Sequence, residues 1–521
     1  MSKKIFHKFF LSIFVTSLIT ITLSFCSRSE PKIIPSPYER AMEAQAAADE
    51  LPADDPARFE WNLKLPSLAE SFSRYFLFGN IWSNQNRMTA FNTNDAFIHH
   101  FNSVTAENDH KVSSIANNQG TWNFNNADRI VNWADTNNIA MVGHTLVWHS
   151  QSPAWLTTVR GSTEPLTRSE AIENMETHIR NVAGRYAGRF YSWDVLNEAI
   201  WGAGEMEWRT TPDWKSHLRS AGRGLDAQNQ SQWYDAFANG AVGDECGSDY
   251  IYYAFRFARI YDPFAILYYN DYNDQVPGKR EAIAQMVIQI NERWTDDPLY
   301  DGRLLIEGIG MQAHYSITGW MTEPAHVRTA IQLYASTGAR ISITEWDLTI
   351  GGNRENPPTA TPALFETQAA RFGVLMGIYL EFSDFIERVS FWGKTDIQSW
   401  ISWGHPLLFD RNYQAKPGYF SILEALESAP PPNISVPVIT TDGVYNAFLN
   451  GHYAFQLQAS QNNFAPILWT ITEGTLPPGL RLIGRTGVIL GMPAAAGVYT
   501  FTAEAANALG SSRQSFTLTV Q

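Results

Sequence analysis

Two short runs of the chain end alike. Tyr191-Ser-Trp-Asp-Val-Leu-Asn-Glu198 and Arg340-Ile-Ser-Ile-Thr-Glu345 are rich in β-branched and aromatic residues until each reaches a polar pair, Asn197-Glu198 in one and Thr344-Glu345 in the other. Apolar runs of this kind read as strands of a parallel sheet buried on both faces. In a barrel of parallel strands, the chemistry sits where such strands end, at their carboxyl tips. Two carboxylates at one barrel mouth are what cleavage of a glycosidic bond needs. One protonates the leaving oxygen, and the other attacks the sugar or activates water.

Other runs end in groups suited to sugar hydroxyls and rings. Glu107, Asn108 and Lys111 follow Phe101-Asn-Ser-Val-Thr-Ala, and His144 and Trp148 lie in Gly143-His-Thr-Leu-Val-Trp-His-Ser-Gln-Ser-Pro153. Asn270 and Asp271 close Leu267-Tyr-Tyr-Asn-Asp, Gln312 and His314 close Gly308-Ile-Gly-Met-Gln-Ala-His, and Trp392 and Trp400 bracket Gly-Lys-Thr-Asp-Ile-Gln-Ser. Amides, imidazole and ammonium bond hydroxyls, while indole faces stack on pyranose rings and exclude water. His144 and His149 do not have the spacing of a metal site, and Gly351-Gly352 reads as a turn.

The elements that must position these groups alternate along residues 61–428. Strand-like runs occur at 101–105, 140–147, 191–197, 265–270, 306–312, 340–344 and 389–392, with helical patterns such as 168–185 and 279–294 between them. Repeated strand–helix alternation implies a parallel sheet, and this many units predict a (β/α)8 TIM barrel, an α/β fold. His99-His100 reads as a surface pair on a helix, and Cys246 as a buried rather than catalytic thiol.

Taken together and in order, these motifs resemble the family 10 glycoside hydrolases, the retaining endo-β-1,4-xylanases. The similarity runs from about residue 65 to 426 and includes the closing run Pro406-Leu-Leu-Phe-Asp-Arg-Asn-Tyr-Gln-Ala-Lys-Pro417. The resemblance implies that Glu198 is the general acid/base and Glu345 the nucleophile. It implies that Asn197 bonds the sugar 2-hydroxyl, and that His314 and Asp347 form a relay keeping the nucleophile ionised. Glu107, Asn108, Lys111, His144, Trp148, Gln312, Trp392 and Trp400 match positions lining the glycone subsites. The implied substrate is xylan with its oligosaccharides, without metal or organic cofactor.

Two departures stand out. Trp346 follows the nucleophile where a smaller apolar residue is common. The stretch from Gly202 to Gln228 is longer than usual and falls on the leaving-group side, where Trp208 or Trp214 either extends the aglycone subsites or packs within a surface loop. Two other functions remain open. One is the same barrel acting on another β-linked glycan such as a β-glucan. The other is a non-catalytic glycan-binding lipoprotein, which the presence of Glu198, Glu345, Asn197 and His314 weighs against.

Bulk composition agrees with this class. The chain has 521 residues, too many for one ordinary domain. Its 44% hydrophobic and 17% charged residues fit a globular protein. A net charge of −14 argues against nucleic acid or an anionic membrane surface as partner, because phosphate binding needs clustered Lys and Arg. Either a large core or ring stacking on a flat ligand accounts for 18 Trp and 21 Tyr.

The ends carry separate signals. Residues 1–26 read as an export signal, with Lys3, Lys4 and Lys8 before the uncharged stretch Phe9 to Phe25. Leu23-Ser-Phe-Cys26 resembles a lipobox with Phe25 where a small residue is usual, so Cys26 is a candidate for acylation, membrane attachment and a cell-envelope location; a plain secretory signal is the alternative. Residues 27–60 read as a linker with a short helix at 38–50. Ala429-Pro-Pro-Pro432 opens a Pro-rich linker (429–436), and 437–521 reads as a small β-sandwich. That module resembles Ig-like domains of bacterial surface proteins through Leu476-Pro-Pro-Gly-Leu-Arg-Leu482 and Ala496-Gly-Val-Tyr-Thr-Phe501. A spacer role is its expected default, with Tyr445 or Trp469 as candidate sugar-stacking residues. A monomer is expected.

Overall fold

Apolar strands that each lead into an amphipathic helix bury both faces most economically by closing into a ring. The computed structural model shows that ring; it describes residues 35–52, 64–82, 94–202, 204–220, 229–412 and 414–521. The strands are β1 (Leu77–Trp82), β2 (Ser103–Ala106), β3 (Ala140–Trp148), β4 (Ser192–Asn197), β5 (Ile266–Asp271), β6 (Gly308–Met311), β7 (His314–Ser316), β8 (Arg340–Thr349) and β9 (Ile386–Phe391). All pair in parallel. Neighbours run β1 through β6, then β8 and β9, and β9 returns to β1 at Leu77↔Arg388. The result is a closed eight-stranded TIM barrel. Short β7 lies beside the upper half of β8, with His314 opposite Asp347.

Four register irregularities interrupt this ring. They fall between His144 and Val147, between Asp194 and Leu196, between Ile341 and Ser342, and between Ile343 and Trp346. Bulges re-aim side chains and concentrate near active sites; here each lies in a strand that bears candidate site residues.

Between the strands and their covering helices the core is aromatic. Trp346 is fully buried and stacks on Phe391 at 5.0 Å, with Phe372 and Tyr379 at its edges. The large residue after Glu345 thus fills the gap between β8 and the helix Pro362–Glu381. The expected helix at 279–294 occurs as Lys279–Trp294, and that at 168–185 ends at Val182 before a 3-10 turn. Strand β1 was not among the expected runs: Leu77-Phe-Gly-Asn-Ile-Trp82 has a glycine and an asparagine at its centre. A Cβ at Gly79 would stand 2.9 Å from Ser390 Oγ and 3.2 Å from Ser103 Cβ, so any larger residue there would force its neighbours to shift.

The surface pair His99-His100 needs correction. His100 is fully buried, ringed by Phe101, Phe409 and Tyr419, and His99 Nε2 bonds the Leu65 carbonyl at 2.7 Å. The short helix Asn94–His100 turns its end into the core instead of outward.

The expected signal at 1–26 and Cys26 lie outside the described residues. The helix at 38–50 occurs as Pro37–Asp49, capped by Ser36 and Glu39. Its Ala41 and Ala48 are buried, and Ser36 Oγ donates to Glu427 at the end of the helix Pro417–Glu427.

The C-terminal region forms antiparallel sheets consistent with an Ig-like domain. One is β10 (Tyr453–Gln456), β13 (Val488–Gly491) and β12 (Leu480–Ile483); another is β11 (Leu468–Gly474), β14 (Gly497–Asn507) and β15 (Gly510–Val520). Trp469, Ile489, Phe501 and Phe516 fill the space between them. Trp469 is thus a core residue rather than a sugar platform, whereas Tyr445 is 76% exposed.

Barrel and sandwich belong to one compact unit. Thr486 Oγ1 donates to the Gly188 carbonyl at 2.8 Å, Arg485 Nε to that of Asn138 at 2.7 Å, and Asn463 Nδ2 to that of Arg74 at 3.3 Å. Arg340 stacks on Phe464 at 4.7 Å. These barrel residues precede or open β4, β3, β1 and β8, so the sandwich meets the floor of the barrel, opposite the strands' carboxyl tips.

Candidate active site

Glu198 follows the last residue of β4, and Glu345 lies in the irregular stretch of β8. A set of amides joins them. Asn270 at the tip of β5 donates to Glu345 Oε1 at 2.7 Å and to Asn197 Oδ1 at 2.9 Å. Gln312, just past β6, donates to Asn197 Oδ1 and to Glu198 Oε1, both at 3.1 Å. Gly310 allows this convergence, since a Cβ there would stand 2.4 Å from Asn270 Oδ1.

The two glutamates have different surroundings. Glu345 is buried, which by itself raises a carboxyl's pKa. Against that act the hydrogen bond from His314 Nε2 at 3.2 Å, the nearby His144, and the Asn270 amide, and the net result lies below the usual carboxylate value. His314 also holds Asp347 through Nδ1 at 2.8 Å. Burial disfavours its charge, but the Asp347 and Glu345 carboxylates outweigh burial and raise it to about 10. At neutral pH both ring nitrogens therefore carry protons. Burial raises Asp347 itself, opposed by His314 and by Trp400 Nε1, which donates at 3.0 Å.

Glu198 goes the other way. Burial raises its pKa, the Asp271 charge adds to this, and bonds from Gln312 and from Trp148 Nε1 at 3.0 Å only partly oppose it. Two carboxyls at one mouth, one pushed up and one pulled down, are the arrangement from which acid and nucleophile roles are read.

The remaining expected residues converge here. Lys111, 7% exposed, donates to Asn108 at 3.0 Å and Gln151 at 2.8 Å and stands over the Trp148 ring at 5.0 Å. His144 bonds Asp194 at 3.0 Å and meets Trp392 edge-on at 5.2 Å. Trp400, half exposed, meets His314 at 5.1 Å. Glu107 lies close enough to buried Lys394 to act on its charge; burial lowers that lysine to about 8, and Glu107 opposes the fall.

Trp214 does not stand exposed as an aglycone platform, and Trp208 lies on the short helix Glu205–Thr210. Trp214 is 2% exposed, with its indole N–H on Gln289 at 2.8 Å. Trp208 is half-buried against His217. A cavity of about 480 Å³ opens beside the chain leaving Glu198, between Trp201, Glu205, Glu207, Asn273 and Trp320. Asn270 was noted in the sequence but not counted among the site residues; its signal was the polar pair Asn270-Asp271, which ends β5 as Asn197-Glu198 ends β4. Trp201 and Trp320 gave no such signal, because neither ends a strand.

This geometry agrees with what the chain is similar to. Residues 67–425 match the model described as "Glycosyl hydrolase family 10", and 436–521 match an Ig-domain model. The chain is 32% identical over 371 residues to an endo-1,4-beta-xylanase of Geobacillus stearothermophilus, covering 69% of this chain and 98% of that one. It is 34% identical over 338 residues to Endo-1,4-beta-xylanase C of Paenibacillus barcinonensis, covering 62% of this chain but 28% of the relative. The chain thus spans well under half the length of some curated relatives. Among solved structures, a bacterial Ig-like domain-containing GH10 xylanase from termite gut superposes with a TM-score of 0.60 at 35% identity, over 70% of this chain and 79% of that one. A family match across most of the barrel, together with paired carboxyls at its mouth, fixes the assignment: this chain belongs to glycosyl hydrolase family 10.

Proposed function

We propose that the chain is a retaining endo-β-1,4-xylanase, with Glu198 as general acid/base and Glu345 as nucleophile. The observation that carries this reading is the opposed environment of the two carboxyls across the Asn270–Asn197–Gln312 amides. A glutamate held ionised by a doubly protonated histidine is ready to attack. A glutamate whose protonated form is favoured by burial and a neighbouring carboxylate is suited to give its proton.

In the first step a Glu345 oxygen bonds the anomeric carbon as the bond to the leaving oxygen breaks, and that oxygen takes the Glu198 proton. Forming the ester removes the Glu345 charge, which lets Glu198 ionise. In the second step Glu198 takes a proton from water, whose oxygen displaces Glu345 and restores the carboxylate. Acid/base assistance of this kind is worth roughly 10²–10⁴ in rate. Asn197 takes the sugar 2-hydroxyl. His314 and Asp347 keep Glu345 ionised, and Glu107, Asn108, Lys111, His144, Trp148, Gln312, Trp392 and Trp400 line the glycone side. All groups that move protons or form bonds are side chains, so the cycle calls for no metal or organic cofactor.

Xylan is the proposed substrate because the relatives are named as endo-1,4-beta-xylanases. The basic start and apolar run at 1–26 support export to where the polymer is, with Cys26 as the candidate anchor. The test is release of oligosaccharides from xylan by the chain from residue 27 onward, with barley β-glucan and carboxymethyl-cellulose in parallel and Glu345→Ala as control. Release from xylan by the intact site alone is expected. Release only from a glucan would move the substrate, and no release would overturn the reading.

A further inference from the structure

We propose that Arg219, delivered by the long segment after β4, is a positioning residue that fixes the backbone of Glu198 for proton transfer to the leaving group. This rests on the acid/base reading of Glu198 above.

Glu198 has φ of +58°, a left-handed conformation that side-chain-bearing residues seldom adopt and that persists only where surrounding bonds hold it. Two such bonds are present. The Glu198 N–H donates to the Asn270 carbonyl at 2.8 Å, and its carbonyl accepts from Arg219 Nε at 2.7 Å. The first comes from the barrel itself. The second comes from the segment that looked unusually long in the sequence.

The returning arm of that segment runs antiparallel to the residues after Glu198. Ile200 and Leu218 form a bridge, Trp201 N–H donates to the His217 carbonyl at 3.0 Å, and Arg219 N–H to that of Ala199 at 3.0 Å. Arg219 is 2% exposed, and its guanidinium is used on every side. Beyond Nε, it donates to the Asn229 carbonyl at 3.1 Å and to Tyr272 Oη at 2.9 Å, and it stacks under the Trp201 ring at 4.7 Å. Trp201 forms a wall of the cavity beside the chain leaving Glu198. One rigid fork therefore ties the left-handed turn at the acid/base residue to the wall beside which the leaving group departs. Lysine has no such planar fork.

The consequence is specific to the step that needs an acid. Loss of the Nε bond frees the Glu198 carbonyl, and the carboxyl then swings with its backbone. Glycosides whose leaving group departs without a proton should tolerate this, whereas those that need one should not.

The test measures kcat/KM of the full chain and of Arg219→Met and Arg219→Lys on dinitrophenyl and phenyl β-xylobiosides, with the melting temperature of each variant. Arg219→Met should lose at least about tenfold on the phenyl substrate, toward the roughly 10²-fold low end of general-acid effects, and less than about threefold on the dinitrophenyl one. Arg219→Lys should show the same split in milder form, and it carries the test if the Met variant does not fold. Equal losses on both substrates, or no loss on either, would overturn the proposal while leaving the site assignment intact. A wild-type chain that cleaves neither substrate would overturn the acid/base reading and this proposal with it.

Discussion

His314 stands between two carboxylates, with Nε2 on Glu345 at 3.2 Å and Nδ1 on Asp347 at 2.8 Å. Its raised pKa and the lowered one of Glu345 are two aspects of one arrangement. Replacing the imidazolium by the neutral amide of His314→Gln removes a charge that favours ionised Glu345. The acid limb of kcat/KM should therefore move upward by about 1–3 pH units, the range set by a close opposite charge. A pH–rate profile checks this; an unmoved acid limb would separate Glu345 ionisation from His314.

At the other carboxyl the sign reverses. Gln312 and Trp148 donate to Glu198 and thereby favour its ionised form. Gln312→Ala should raise the Glu198 pKa further, shifting the alkaline limb of kcat/KM upward while slowing the second step, for which Glu198 is the proposed base. Profiles of kcat and kcat/KM on one substrate separate these effects, and a downward shift of the alkaline limb would contradict the account.

Buried His110 and His178 and partly buried His149 bear on acid stability. Burial lowers His110 and His149 to about 3, and His178 to about 4. Among the described residues His110 has no hydrogen-bond partner for either ring nitrogen, and it lies against Phe190 and Trp193. The unfolded chain binds protons at these groups below about 6.5, whereas the folded chain does not until near 3–4. Their contribution is thus complete above pH 6.5 and is lost as pH falls below it. His178 alone should cost on the order of 3 kcal/mol by pH 4, from 1.36 kcal/mol per pH unit. Denaturant midpoints at pH 7 and pH 4.5 measure the loss, which His178→Gln should reduce.

Tryptophans on the leaving-group side should divide by burial. Trp214→Ala should destabilise the chain by about 3–5 kcal/mol as a large-to-small core change and leave the product pattern unchanged. Trp201→Ala and Trp320→Ala, at the open cavity, should change product lengths from xylohexaose with smaller losses of stability. Chromatography of products beside thermal melts distinguishes the two groups. Altered products from Trp214→Ala would return that residue to the mouth.

The barrel was legible because its strands are buried on both faces and so write themselves as apolar runs. Asn197-Glu198 and Thr344-Glu345 were legible because a polar pair at the end of such a run has few structural uses. Strand β1 was not legible, since Gly79 and Asn80 interrupt its apolar pattern to make room for Ser390 and bond the N–H of Gly393. Trp214 stayed open between subsite and packing because a tryptophan in a long loop reads the same whether it faces ligand or core. Its burial depends on Gln285 and Gln289 of the helix Lys279–Trp294, far along the chain. Nor could the sequence reveal the docking of the sandwich, which depends on carbonyls of Gly188, Asn138 and Arg74 at the barrel floor. Main-chain acceptors leave no mark in a sequence.

Double displacement through Glu345, with Glu198 as acid/base, sets the anomer first released. Time-resolved proton NMR of xylohexaose hydrolysis by the full chain tests it most directly. The account predicts that the new reducing ends appear first as the β-anomer and then mutarotate, and that Glu345→Ala releases none. First appearance of the α-anomer, or cleavage that survives Glu345→Ala, would contradict it.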